Sequence, residues 1–132
     1  MIEMLIRDYE IPQEEIVPQS GHCLHPAFLK KSLEDSLQRL NLECLDVLYL
    51  HNPYEAQGPH NTDNVFFDRL QAAFELLEQM VEEGKIKQYG LATYSSMRLK
   101  PSENKMHLNL QKVARIAQKV VGEDKEHNFK FV

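Results

Sequence analysis

Apolar residues recur along this chain in two spacings, and the switch between them marks out the elements. Ile2, Leu5, Ile6 and Tyr9 fall on one face of a helix from Met1 to Tyr9, which Ile11-Pro12 breaks. Glu15-Ile16-Val17-Pro18 leaves room only for the stub of a strand. Pro26 suits the first turn of a second helix, in which Leu29, Leu33, Leu37 and Leu40 repeat at helical spacing up to Asn41. Those leucines are expected to face a sheet. Leu45-Asp46-Val47-Leu48-Tyr49-Leu50 then reads as an apolar strand that ends at His51-Asn52-Pro53. A polar loop, Tyr54 to Asp63, with Gly58, Pro59 and Asn61, leads into a third helix. Its stripe is Phe66, Leu70, Ala73, Phe74, Leu77 and Met80, and Gly84 is its stop.

The next strand spans Ile86 to Tyr94, where Tyr89-Gly90-Leu91-Ala92 reads as a run buried on both faces, the mark of a parallel sheet. Pro101-Ser102 is expected to start a fourth helix, with Met106, Leu110, Val113, Ala117 and Val120 in repeat and Gly122 at its end. Phe129-Lys130-Phe131-Val132 opens a last strand. Helix and strand alternate at short spacing, as in right-handed βαβ units, so the fold class is α/β. No internal repeat or low-complexity tract interrupts the order.

Composition narrows the function classes. A chain of 132 residues with 42% apolar content forms one domain or part of one. Its net charge of -5 offers no broad basic field, so nucleic acid and anionic membranes are poor partners. Asp8 follows too soon after Met1 for a signal peptide, and no later stretch approaches membrane-spanning length. Cys23 and Cys44 do not form a disulfide scaffold by density or spacing, and a cytoplasmic location is expected.

His51 is the principal chemical candidate, because an imidazole at the C-terminal end of a barrel strand sits where such folds place reacting groups. His22, Cys23 and His25 lie close in sequence, but a structural zinc site needs four well-spaced ligands and no metal is expected. Tyr9 and Tyr49 are the alternative proton donors to weigh. Tyr9 precedes a helix break, whereas strand alternation puts Tyr49 on the same face as His51, with packing as its ordinary role. Lys85 and Lys87 flank the start of their strand and are expected to be solvated, as are Glu75, Glu78, Glu82 and Glu83 on the polar side of the third helix.

Three segments together resemble the aldo-keto reductases, NADP-dependent oxidoreductases built on a (β/α)8 TIM barrel. They are Ser32-Leu33-Glu34-Asp35-Ser36-Leu37-Gln38-Arg39-Leu40, then Leu45-Asp46-Val47-Leu48-Tyr49-Leu50-His51-Asn52-Pro53, and Glu83-Gly84-Lys85-Ile86-Lys87-Gln88-Tyr89-Gly90-Leu91-Ala92. The resemblance covers residues 25–132 best and implies a partial barrel over residues 1–132, roughly strands 4 to 6 with flanking helices, where a whole barrel takes roughly 250 residues. It implies a parent activity of NADPH-dependent reduction of aldehydes or ketones. In that chemistry a tyrosine protonates the developing alkoxide, a lysine held by an aspartate makes the phenol more acidic, and a histidine orients the carbonyl.

Only the histidine maps onto this sequence, as His51. The aspartate and tyrosine are expected upstream of Met1. The lysine is expected just after Glu14-Glu15-Ile16-Val17, where the chain instead runs Pro18-Gln19-Ser20-Gly21 to His22, as if the lysine-bearing strand had been lost internally. The family's Gly-Val-Ser-Asn contact with the nicotinamide carboxamide is here Gly90-Leu91-Ala92-Thr93, which leaves Thr93 as the cofactor-binding candidate. The adenosine-phosphate pocket is expected beyond Val132. The resemblance therefore predicts a reductase fragment that does not bind NADP tightly and is inactive alone. The alternatives are a non-catalytic interaction module that pairs through open strand edges, or a product without a selected role.

Overall fold

Most of the periodic segments become helices where they also carry a cap. The computed structural model describes residues 2–100 and 106–132. In chain order its elements are α1 Ile2–Tyr9, α2 Pro26–Leu40, β1 Leu45–His51, α3 Pro53–Gln57, α4 Asp63–Glu82, β2 Ile86–Ala92, α5 Leu110–Val121 and β3 Phe129–Phe131. Single 3-10 turns lie at Gln13–Glu15 and Gly58–His60. His25 Nδ1 accepts the Ala27 N–H at 3.2 Å to cap α2, and Thr62 Oγ1 accepts the Val65 N–H at 3.3 Å to cap α4. Asn41, in the left-handed region at φ 53°, closes α2.

The strands form one parallel sheet in the order β1-β2-β3. Register runs from Leu45 opposite Ile86 to His51 opposite Ala92, so β1 and β2 end level with each other. Leu50, Tyr89, Leu91 and Phe129 turn to one face and join a core with Phe66, Leu70, Phe74, Leu77 and Met80 from α4 and Val113 and Ala117 from α5. Each large apolar side chain buried there contributes about 1.5–3 kcal/mol. Phe74 lies 5.1 Å from the Tyr89 ring and 5.4 Å from the Phe129 ring. The opposite face keeps Tyr49 at 48% exposure. This is an α/β arrangement with helices against a parallel sheet, as in part of a (β/α)8 barrel. A smaller cluster of Leu5, Ile11, Ile16 and Cys23 docks α1 beside α2.

β3 approaches β2 closely. Pairing moves from Tyr89–Phe129 to Gly90–Phe131, which leaves one extra residue on β3, and a Cβ on Gly90 would fall 2.7 Å from the Phe131 Cβ and collide with the Phe131 carbonyl. Gly90 is there because backbone passes over it.

The structure corrects several expectations. Tyr54 to Asp63 is not an open loop, since α3 and a 3-10 turn occupy it and bury Tyr54 and Gln57. Leu40 (59% exposed) and Leu110 (44%) sit at helix ends beyond the edge of the core. β2 stops at Ala92, short of Tyr94, and the strand stub is a single antiparallel bridge between Ile16 and Cys23. The proposed helix start at Pro101-Ser102 lies outside the described residues, and α5 begins at Leu110. Lys85 is only partly solvated, paired with Glu34 at 3.3 Å and Glu83 at 3.4 Å, whereas Lys87 is exposed and meets Asp46 at 2.6 Å.

The largest correction is Glu78. Glu75, Glu82 and Glu83 are exposed as expected, but Glu78 is buried. Its Oε1 accepts the Tyr89 hydroxyl at 2.9 Å and the Asn128 N–H at 2.7 Å, and its Oε2 accepts the Asn128 side-chain amide at 2.8 Å. Burial first, and then the Glu78 charge, push the Tyr89 phenol well above its ordinary value, so it stays a donor. Glu78→Ala strands the Tyr89 hydroxyl and the Asn128 N–H, at a cost of about 3 kcal/mol. Glu78→Gln keeps an acceptor oxygen and should lose less. Denaturant midpoints of the three proteins check this, and an unchanged midpoint for Glu78→Ala would refute it.

Candidate active site

His51 closes β1 on the face opposite the core that α4 and α5 cover. Leu50, just before it, is buried in the core, while Tyr49 and His51 share the exposed face as alternation predicts. Tyr49 packs its ring 6.1 Å from Phe131. His51 lies opposite Ala92, and the Asn52 N–H donates to the Ala92 carbonyl at 2.7 Å, so Thr93 follows directly beside the histidine's strand end. The two candidate groups therefore come to the same end of the sheet. Tyr9 does not, because it packs into the cluster around α1. Lys85 and Lys87 lie at the opposite end, where β2 begins.

The open edge of β1 is closed at its end by His22. Its Nε2–H donates to the His51 carbonyl at 3.0 Å, which can only accept, so Nδ1 is the acceptor for the Gln57 side-chain amide at 3.2 Å. Gln57 is fully buried; its Oε1 accepts from Arg69 at 2.8 Å, and Arg69 also donates to the Glu14 carbonyl at 3.0 Å. This chain of bonds ties the end of β1 to α3, α4 and the first 3-10 turn. His22, Cys23 and His25 each do something separate. Cys23 is a buried free thiol whose sulfur accepts the His25 N–H at 3.4 Å, and His25 caps α2. No group of three or more potential metal ligands occurs among the described residues.

Two residues at this site were not singled out in the sequence. Gln57 and Glu55 both lie in the segment read as a loop, although Pro53 after Asn52 is the first-turn proline that marks a helix start. Asn52 takes the left-handed conformation, φ 45°, that an asparagine tolerates, and this bends α3 back over the strand ends. Glu55 Oε1 then accepts the N–H groups of Tyr94, Ser95 and Ser96 at 3.0–3.1 Å. Tyr54, beside it, donates its hydroxyl to Asp63 at 2.8 Å; burial and then Asp63 push this phenol up to about 12, far from a ready proton donor.

Burial lowers the His22 pKa below the ordinary imidazole value of 6.5, the His51 carbonyl bond opposes this, and the charge of His51 adds to the lowering. A group whose folded pKa is depressed gives its full stability above the unfolded pKa. That contribution is lost as pH falls from 6.5 toward the lower folded value. His22→Gln should flatten the slope of stability against pH in that window. Unfolding free energies across the imidazole range test it, and an unchanged slope would assign the dependence elsewhere.

Residues 17–119 match the aldo/keto reductase family. The chain is 37% identical over 79 residues to aflatoxin B1 aldehyde reductase member 2 of Rattus norvegicus, a stretch that covers 60% of this chain and 18% of that protein. It is 30% identical over 123 residues to aldo-keto reductase family 1 member C21 of Mus musculus, covering 85% of this chain and 38% of that protein. The chain thus spans less than two fifths of the curated relatives it matches. No helix among the described residues is long and apolar enough to cross a membrane. The family match takes in the end of β1 with His51, all of β2 and most of α5, and on that span the chain belongs to the aldo/keto reductase family.

Proposed function

We propose that this chain is the histidine-bearing middle section of an NADPH-dependent carbonyl reductase barrel, roughly strands 4 to 6, over residues 1–132 with 25–132 as its best-matched part. The observation that carries the reading is His51 at the C-terminal end of a parallel strand, level with Ala92 and next to Thr93. NADPH, when bound, supplies the hydride. His51 is then the donor that orients the carbonyl oxygen where negative charge develops, and Thr93 offers one hydroxyl to the carboxamide. Ala92 offers no side-chain partner there, so the residues fit only part of that contact. A cytoplasmic site of action goes with this reading, supported by two free cysteines.

The resemblance maps no catalytic tyrosine, lysine or aspartate onto this chain, and the sequence between Val17 and Pro26 contains no lysine. The chain alone is therefore inactive in this proposal. NADPH fluorescence titration, followed by an aldehyde and measurement of cofactor oxidation, tests it. The expected result is no turnover by the chain alone, and turnover when a complementary barrel section is added, which His51→Ala lowers by about a hundredfold. Turnover that survives His51→Ala would remove the reading.

The exposed face and edges favour a second reading, a non-catalytic module in which a second copy pairs along an open strand edge. A groove of about 450 Å³ lies between β1 and α2, lined by Phe28, Leu29, Leu33, Val47 and Tyr49 among others. Light scattering should then show a dimer or larger species. A monodisperse monomer with a cooperative melt would exclude it.

A further inference from the structure

The turn after β2 is held from outside by one side chain. Glu55 Oε1 accepts three successive backbone N–H groups, from Tyr94 at 3.0 Å and from Ser95 and Ser96 at 3.1 Å. On the other side of Thr93, the Asn52 N–H holds the Ala92 carbonyl at 2.7 Å. Thr93 is thus fixed at both flanks by the two residues that bracket Pro53 and Tyr54, immediately after His51 in the chain. Any displacement of α3 moves the histidine's strand end and the Thr93 turn together.

The chemistry of Glu55 suits a clamp. Burial alone raises its pKa, but the backbone donors of Ser96, Glu55 itself, Ser95 and Tyr94 together outweigh burial and hold the carboxyl below its ordinary range. The charge is spent on the turn and is not available as an acid. Charge-assisted bonds to backbone N–H groups are about twice as strong as neutral ones. The joint also carries a cost: among the described residues, Glu55 Oε2 and the Ser96 hydroxyl are both buried without a partner. Packing for stability alone would avoid two orphan oxygens at one joint, whereas a fixed geometry accepts them.

We propose that Glu55 is a positioning residue that sets the Thr93–Ser96 turn in register with His51, so that both candidate groups front the same space. The claim about the turn stands on these bonds; its use in cofactor binding rests on the function proposed above.

Amide hydrogen exchange by NMR on the whole chain, as wild type, Glu55→Gln and Glu55→Ala, tests the clamp. Glu55→Ala should speed exchange at Tyr94, Ser95 and Ser96 by about tenfold or more, and Glu55→Gln, which keeps an acceptor oxygen, should retain most of the protection. The Tyr89 amide, bonded to the Asn128 carbonyl at 3.0 Å, is the internal control and should not change. Thr93 methyl and His51 ring resonances should shift in Glu55→Ala and return in Glu55→Gln, which a merely stabilising contact would not produce. Equal exchange at the three amides in all proteins overturns the proposal, and so does acceleration that includes Tyr89. NADPH titration of the same set, each with the complementary barrel section added, separates the two claims. Binding weakened in Glu55→Ala and restored in Glu55→Gln supports both, and equal binding in all three overturns the positioning role. No binding by any form, with protection still lost in Glu55→Ala, leaves Glu55 as the clamp and removes the cofactor reading.

Discussion

A single buried carboxylate, Glu78, determines where the third strand lies. β3 is only three residues long and pairs with β2 through a register shift, so its backbone ladder does little to locate it. Glu78 supplies what the ladder lacks, since it takes the Tyr89 hydroxyl of β2 and both amides of Asn128, the residue before β3. A buried charge of this kind is tolerated only when its lone pairs are met by donors, and here three donors meet them. The stack of Phe74, Tyr89 and Phe129 can close only with the strand in that place. Gly90 completes the constraint, because any larger residue there would lift Phe131 away.

Once the sheet is fixed, the candidate site follows from its parallel sense. β1 and β2 end level, so Asn52 after β1 bonds the Ala92 carbonyl that precedes Thr93 without help from a long loop. Two polar clamps then bear on the strand ends, one at β1 through His22 and Gln57 and one at the turn after β2 through Glu55. His22 and Gln57 satisfy the edge carbonyl of His51 and connect it to Arg69, while Glu55 gathers the turn beyond Thr93. The His51 ring stays on the exposed face while its backbone is held on both sides, an arrangement suited to a group that must point in one direction.

Much of this was legible in the sequence because it is periodic. The stripe from Phe66 to Met80, the Leu45 to Leu50 strand and the doubly buried Tyr89-Gly90-Leu91 run lie where their spacing put them. His51 was found for the same reason, as the first polar residue after an apolar strand. Glu78 was not legible, because its position on α4 is next to the polar face and its partner Asn128 lies fifty residues further on. Glu55 and Gln57 were hidden by Gly58, Pro59 and Asn61, which signal a turn correctly but not the five-residue helix that precedes it. Short elements have too few residues for a period to show, and long-range polar pairs leave none at all.

The edge of β1 away from β2 bears on the chemistry. Val17 to Cys23 folds back on itself, with the Val17 N–H bonded to the His22 carbonyl at 2.9 Å and Ile16 bridged to Cys23. A tight reversal of this kind cannot run alongside β1 as a strand, and among the described residues its hydrogen bond to β1 is the one from the His22 ring to the His51 carbonyl. The segment from which a lysine would have to reach the space before His51 is therefore spent on its own turn. Of the nearby phenols, Tyr54 is engaged by Asp63 with its acidity suppressed, and Tyr49 leans on Phe131. The face thus holds the His51 ring beside Tyr49, while Tyr94 stands exposed one residue after Thr93. In the reductase reading proposed above, Tyr54 is therefore the poorer candidate to give a proton, and Tyr49, on the face of His51, is the better placed of the two.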